Sequence, residues 1–323
     1  MAATPGPLPD TVDRKADKTG LLYGLIAYGI WGLVPIFWRL VDQASAGEIL
    51  GMRMIWSLIF ALILAFITLP RDWFTTIANR RTLLLLAAAS VVVSINWGTF
   101  IWATNHGHVT ETSLGYYINP IVSILFGVVL LHERLARWQW LAVGLAAAAV
   151  VVMTIEYGRL PWISLVLAFS FGSYGLIKSQ VRAGALQTLV IESGVMFVPA
   201  LVFMIILQVR GTLTFGHLGW IHSLLLAAGG LVTLVPLILF SAAARRLPLT
   251  VIGMLQYLAP TMTFLLGVFY FGEQMSPGRW IGFVMVWIAV IILTIGMVFT
   301  LRRRQPAAIV TGMNDSPGVS GTR

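Results

Sequence analysis

"SLGYYINP", Ser113 to Pro120, and "GMLQYLAP", Gly253 to Pro260, lie 140 residues apart and share one layout. Each places a polar residue, Tyr116 or Gln256, four positions before a proline inside a strongly apolar run. A proline frees the carbonyl four residues back, and a freed carbonyl is tolerated in a membrane only if protein buries it or it lines a wet cavity. Two such segments in one register point to a duplicated membrane unit.

The register extends well beyond the two segments. Without a gap, Phe100 falls on Phe240, Ala103 on Ala243, Tyr117 on Tyr257, Gly127-Val128 on Gly267-Val268, Glu133 on Glu273 and Trp140 on Trp280. Leucine and alanine matches such as "LLLAA" at 84–88 and 224–228 are cheap in an apolar chain, whereas matched Pro, Tyr, Glu and Trp are not. At shifts of 143 and 139 the earlier segments also correspond: "GIWGL" (29–33) lies over "GSYGL" (172–176), and Arg53 over Glu192.

Composition sets the solvent. Of 323 residues 58% are hydrophobic and 10% charged, with mean hydropathy +0.89, against roughly a quarter charged in soluble proteins. The reading is an all-α polytopic membrane protein. Spans of about 20 apolar residues fall at 21–40, 47–69, 83–104, 112–131, 139–157, 160–180, 187–208, 220–243, 250–271 and 278–300. Residues 1–19 and 301–323 read as disordered cytoplasmic tails, residues 20–157 as a first five-helix repeat and 158–300 as a second. With the N-terminus inside, 16 Lys and Arg fall in inside regions and 4 outside, which expects both termini in the cytoplasm. The net charge of +9 is spread over these loops, so nucleic acid is not an expected partner.

Five spans per repeat is an odd number, so the second repeat enters the membrane from the other face. Inverted repeats place a pseudo-two-fold axis in the membrane plane and a site between the halves. Two related packings of similar energy are a physical basis for alternating access.

Residues at i, i+4, i+7 and i+11 share a helix face. In the fourth span these are Tyr116, Pro120, Ser123 and Gly127; in the ninth, Gln256, Pro260, Thr263 and Gly267. The stripe either lines a cavity or packs helices closely. Asn96 and Trp97 lie in the third span, where a mid-membrane Asn commonly bridges helices. Gly24, Tyr28, Trp31, Gly32 and Pro35 follow one face of the first span, and Gly172, Tyr174 and Gly175 are the analogous set in the sixth. The substrate-binding candidates are Tyr116, Gln256, Asn96, Trp97, Trp31, Tyr174, Ser123 and Thr263. Arg53 and Glu192 are candidates for a gating charge pair across the pseudo-two-fold, since intramembrane charges are functional candidates by default; local partners for each are the alternative. Lys178 is expected to snorkel to the interface, and Glu133 and Glu273 to cap the helix that follows each.

Zero cysteines exclude disulfides and thiol chemistry. "NHGH" (105–108) carries two histidines but lacks further zinc ligands. Neither a phosphate loop nor a nucleophile elbow is evident, so no catalytic residue, cofactor or metal is expected. The loops are too short for an ATP-binding domain, so transport would be secondary or facilitated.

"AYGIWGLVPIFWRL" (27–40), "EILGMRMIWS" (48–57), "INWGTFIWATNHGHVTETSLGYYINP" (95–120) and "VPLILFSAAARRLPLTVIGMLQYLAPTMTFLLGVFYFGE" (235–273) resemble the RarD proteins of the EamA family, in the drug/metabolite transporter superfamily. The resemblance covers about residues 20 to 300. It implies ten helices in two inverted repeats, a bacterial inner-membrane location and a permease, often labelled for chloramphenicol resistance, acting on a small-molecule substrate. The expected reading is a secondary transporter exporting a small metabolite or drug-like molecule. A flippase for lipid-linked substrates and a non-transporting scaffold or sensor are the alternatives, and a homodimer is left open.

Overall fold

The computed structural model describes residues 17–131 and 135–303. Among them every regular element is helical: α1 (Lys18–Arg39), α2 (Ala46–Thr68), α3 (Trp73–Ile77), α4 (Arg80–Asn105), α5 (Val109–Leu131), α6 (Arg137–Tyr157), α7 (Trp162–Ser179), α8 (Ala185–Val209), α9 (Trp220–Ala244), α10 (Leu249–Leu255), α11 (Leu258–Leu265) and α12 (Pro277–Arg303). Ten spans are long and apolar enough to cross a bilayer, at positions within a few residues of those expected. Helices α1 and α12 reach to Lys18 and Arg303, slightly into the expected tails. The rest of both tails, and Glu133, lie outside the described residues.

Two local features depart from the sequence reading. The short helix α3 fills the loop after the second span. The ninth span is not one helix: it breaks at Gln256–Tyr257 between α10 and α11, then widens into a π-turn at Leu266–Tyr270. The break falls where the Pro260 ring lacks an N–H for the Gln256 carbonyl and crowds it. Helix α5 carries Pro120 without interruption.

Helix contacts exchange under the five-span shift. Helix α1 packs on α9 as α7 packs on α4, α2 on α9 as α8 on α4, and α1 on α11 as α7 on α5. The pairs α2·α8, α6·α12 and α5·α11 each map onto themselves, as a two-fold axis between repeats requires. One contact shows how the sequence achieves this. A Cβ on Gly115 of α5 would lie 2.9 Å from Leu167 Cβ of α7, and one on Gly24 of α1 would lie 2.6 Å from Leu255 Cδ1 of α10. By the shifts of 140 and 143, Gly115 matches Leu255 and Leu167 matches Gly24. The close approach is kept while the small residue changes sides.

The loops at residues 40–45, 106–108, 158–161, 210–219 and 271–276 share one face, tied by Arg39 Nη1 to the Asn105 carbonyl at 3.0 Å and by Arg159 to Glu111 at 3.2 Å. Glu273 strengthens this face. Its Oε1 accepts from the Val109 N–H, and its Oε2 from the Thr110 N–H at 2.9 Å and the Thr110 hydroxyl at 2.6 Å. Glu273 therefore caps α5 of the first repeat rather than the helix that follows it. The π-turn and Gly272 (φ 67°) turn the chain back toward α5, where the unpaired amides and positive end of the helix attract a carboxylate.

Candidate functional site

A polar cluster lies about two turns beneath the Glu273 face. Arg53 is the eighth residue of α2 and Tyr116 the eighth of α5, each roughly 10 Å into its helix at 1.5 Å per residue. Arg53 is 7% exposed, and its Nε donates to Thr233 Oγ1 of α9 at 2.6 Å. The guanidinium lies over the Trp97 ring at 3.7 Å and near Trp38 at 5.5 Å. A glycine sets this geometry: a Cβ on Gly230 would sit 2.6 Å from the Trp56 carbonyl carbon and 2.7 Å from the Ser57 nitrogen. Both are backbone atoms, so α2 and α9 approach only because Gly230 has no side chain, and Thr233 thereby comes within reach of Arg53.

Asn96 closes the opposite wall. Its Nδ2 donates to the Leu167 carbonyl at 3.0 Å and to Ser170 Oγ at 2.9 Å, and Tyr116 donates to its Oδ1 at 2.9 Å. Both amide hydrogens are used by protein, so in this conformation Asn96 is a clamp from α4 to α7 that also orients Tyr116. Phe100 and Phe171 pack around the Tyr116 ring, both at 5.8 Å. Tyr28, Trp31 and Phe240 form a separate aromatic layer at 5.3–5.9 Å, joining α1 to α9.

The charges in the cluster do not balance. Inserting an arginine at mid-membrane costs about 2.5–3.5 kcal/mol on translocon scales. A desolvated cation–π contact returns about 2 kcal/mol, and a hydrogen bond to a charged group about 1.5–3 kcal/mol. Trp97 and Thr233 therefore suffice to hold Arg53 in place, and they leave its positive charge uncompensated. Glu192 is not its partner. Glu192 accepts from Lys178 Nζ at 2.7 Å and from Tyr174 OH at 3.1 Å. The expected Arg53–Glu192 pair is thus replaced by local partners for each: Thr233 and Trp97 hold Arg53, and Lys178 and Tyr174 hold Glu192. Lys178 does not snorkel outward but turns to Glu192 of the next helix, α8.

The remaining candidates are spread along the repeat. Arg53, Trp97, Asn96 and Tyr116 come together; Tyr174 belongs to the Glu192 cluster and Trp31 to the aromatic layer. Gln256 sits at the break of the ninth span, between α10 and α11. Ser123 is exposed, with its hydroxyl donating to the Asn119 carbonyl at 3.1 Å, whereas Thr263, its match, is buried. Thr233, Trp38 and Ser170 were missed by sequence reasoning. The repeat register could have flagged Thr233, which lies opposite Val93 as a polar insertion. Glu48, fully buried, accepts from the Thr214 N–H at 2.9 Å, the Thr214 hydroxyl at 2.9 Å and the Phe215 N–H at 2.8 Å. That bridge links the two repeats at the Glu273 face. Beside it, Ala46, Gly47, Leu50, Gly98, Thr99, Trp102 and Trp162 line a shallow groove of about 380 Å³ that does not include the Arg53 cluster. Among the described residues no group of acidic and histidine side chains is placed to hold a metal ion.

Comparison with known proteins places this arrangement. The family model for the EamA-like transporter family matches twice, over residues 18–155 and 160–295. The chain is 54% identical to Protein RarD of Streptomyces exfoliatus over 293 residues, covering 90% of this chain and 92% of that one. It is 41% identical to an uncharacterized transporter of Pseudomonas aeruginosa, covering 88% and 96%. A solved crystal structure superposes with TM-score 0.54 at 14% identity, over 89% of this chain and 99% of that chain, which speaks to fold alone. With two family matches spanning ten membrane helices, the chain is a multi-pass membrane protein that belongs to the EamA-like transporter family.

Proposed function

We propose that this protein is a secondary transporter that moves a small molecule out of a bacterial cell by alternating access between two inverted repeats. It would sit in the inner membrane with both termini cytoplasmic and carry out no chemistry on its substrate. The odd number of spans per repeat supports the inversion, because matched helices must then cross the membrane in opposite senses.

One observation carries the reading: symmetry-matched positions are unequally buried. Thr263 is buried, while Ser123 is exposed although it shares a helix face with the inward-turned Tyr116. Gly32 is buried, and a Cβ there would lie 2.7 Å from Met262, while its match Gly175 is exposed with open space around it. The buried members lie toward the Glu273 face and the exposed ones toward the opposite face. A rigid scaffold has no reason to break its own symmetry this way. A transporter caught closed on one side and open on the other does, since the two conformations exchange the environments of the matched pairs.

Purified protein in liposomes should show flux or counterflow of a small-molecule panel that includes amphenicols. Absence of flux for every candidate under every imposed gradient would defeat this reading.

A further inference from the structure

We propose that Arg53 is an anion-recognising subsite, and that the molecule this transporter binds carries one carboxylate on a flat, largely apolar body. This rests on the transporter reading above and adds a substrate class to it.

The charge inventory points to a missing anion. Glu192 and Glu111 each have a cation, Lys178 and Arg159, and Glu48 has two backbone amides and the Thr214 hydroxyl on one oxygen, while Glu48 Oε2 and Glu111 Oε1 have no protein donor. Arg53 is also buried, at 7% exposed, yet among the described residues no carboxylate lies within ion-pair distance of it. Its one protein hydrogen bond uses Nε, and Trp97 covers one face of its plane. Among the described residues the two Nη groups have no protein acceptor, and neither is among the fully enclosed orphan atoms of the structure. They therefore keep some solvent access and are free to donate to a ligand.

What remains free of the guanidinium is an edge of parallel N–H donors. That edge matches the two oxygens of a carboxylate in a bidentate fork. Thr233 and Trp97 hold the plane in one orientation, so little side-chain freedom is lost on binding. A single cation calls for a single negative charge; a dianion would bring a second charge with no partner. The surroundings of the guanidinium are aromatic: Trp97 lies beneath it and Trp38, itself 1% exposed, beside it. The Tyr116 hydroxyl is already committed to Asn96. The partly exposed Trp97 and Tyr116 rings supply flat apolar surface in this cluster.

The test compares acids with their neutral isosteres. Benzoate, phenylacetate and indole-3-acetate, and the three corresponding carboxamides, would be titrated into detergent-purified full-length protein. Thermal shift and intrinsic tryptophan fluorescence would be read, with chloride, phosphate and an amphenicol as further probes. At least one acid should bind about tenfold or more tighter than its amide, the scale of one hydrogen bond to a charged group. Arg53→Gln should abolish the preference, and Arg53→Lys should keep it in weakened form. Thr233→Val, which frees only Nε, should retain the preference and guards against misfolding of the Arg53 variants. No acid-over-amide preference across the panel, whether from equal binding or from none, overturns the subsite. So does a preference that survives Arg53→Gln, or equal stabilisation by chloride or phosphate. The transporter reading fails separately: acid binding without flux in liposomes leaves the subsite and removes transport, and flux without acid preference does the reverse.

Discussion

Glu273 of the second repeat and Thr110 of the first are joined by two hydrogen bonds to one carboxylate oxygen, 2.9 Å from the Thr110 nitrogen and 2.6 Å from its hydroxyl. The contact exists in the conformation in which Thr263 is buried and Ser123 exposed. A contact formed in only one of two states biases the equilibrium between them by its own free energy.

Glu273→Gln should therefore shift the population away from this conformation. Hydrogen bonds to a charged group contribute about 1.5–3 kcal/mol each, so a shift of roughly 10-fold or more is expected. The chain has no cysteine, which makes single-cysteine reporters clean. Ser123→Cys should react readily with a membrane-impermeant maleimide and Thr263→Cys slowly. Glu273→Gln should speed labelling at 263 and slow it at 123. Unchanged rates at both sites would show that the Glu273 contact does not control the closed face.

Lys178 and Glu192 form a mostly buried ion pair. Removing one partner strands a charge in a low-dielectric interior, at a cost of about 3–5 kcal/mol. Lys178→Ala should lower the melting temperature in detergent markedly, and Lys178→Met with Glu192→Leu should recover most of the loss. The swap Arg53→Glu with Glu192→Arg should rescue nothing, because the two residues occupy separate clusters.

Glycine substitutions should rank by what the new methyl meets. At Gly230 it meets backbone atoms of Trp56 and Ser57, which cannot give way without moving a helix, whereas at Gly24 it meets the tip of Leu255. Gly230→Ala should cost about 1–3 kcal/mol, as overpacking does, and Gly24→Ala clearly less. Size-exclusion profiles after a heat step would order the two; a milder effect at Gly230 would contradict the close α2–α9 approach.

His108, in the turn at the Glu273 face, has its pKa lowered by desolvation and then by the nearby Arg159, against an opposing pull from Glu273. The folded state thus binds this proton less readily than the unfolded chain. Its contribution to stability is full above the ordinary histidine value near 6.5 and is lost as pH falls through the lowered folded value. The wild-type protein should lose melting temperature as pH falls from about 6.5 toward that lowered value, and His108→Gln should flatten the dependence in this window. An equal pH slope in both proteins would remove His108 as its source.

Asn96, Trp97, Tyr116 and Arg53 stand out in the sequence because polar and ionisable groups are rare inside apolar spans and each needs a reason to be there. Their partners do not. Arg53 meets Thr233 and not Glu192, and Glu273 caps Val109 and Thr110 and not its own next helix. Such choices depend on helix rotation and on approaches of a fraction of an ångström, like the one Gly230 permits. The break of the ninth span is a middle case. The proline that causes it is visible in the sequence, but Pro120 in the matching helix causes none, so packing around each proline decides the outcome.

By itself the sequence determined the ten spans and their duplication, since a bilayer demands long apolar runs and a repeat leaves its register in the chain. Which matched positions are buried, which charges are paired and which one lacks a carboxylate partner were decided by tertiary structure. Matched positions of the two repeats, such as Ser123 and Thr263, sit in different environments, and the packing of the two halves sets which is buried.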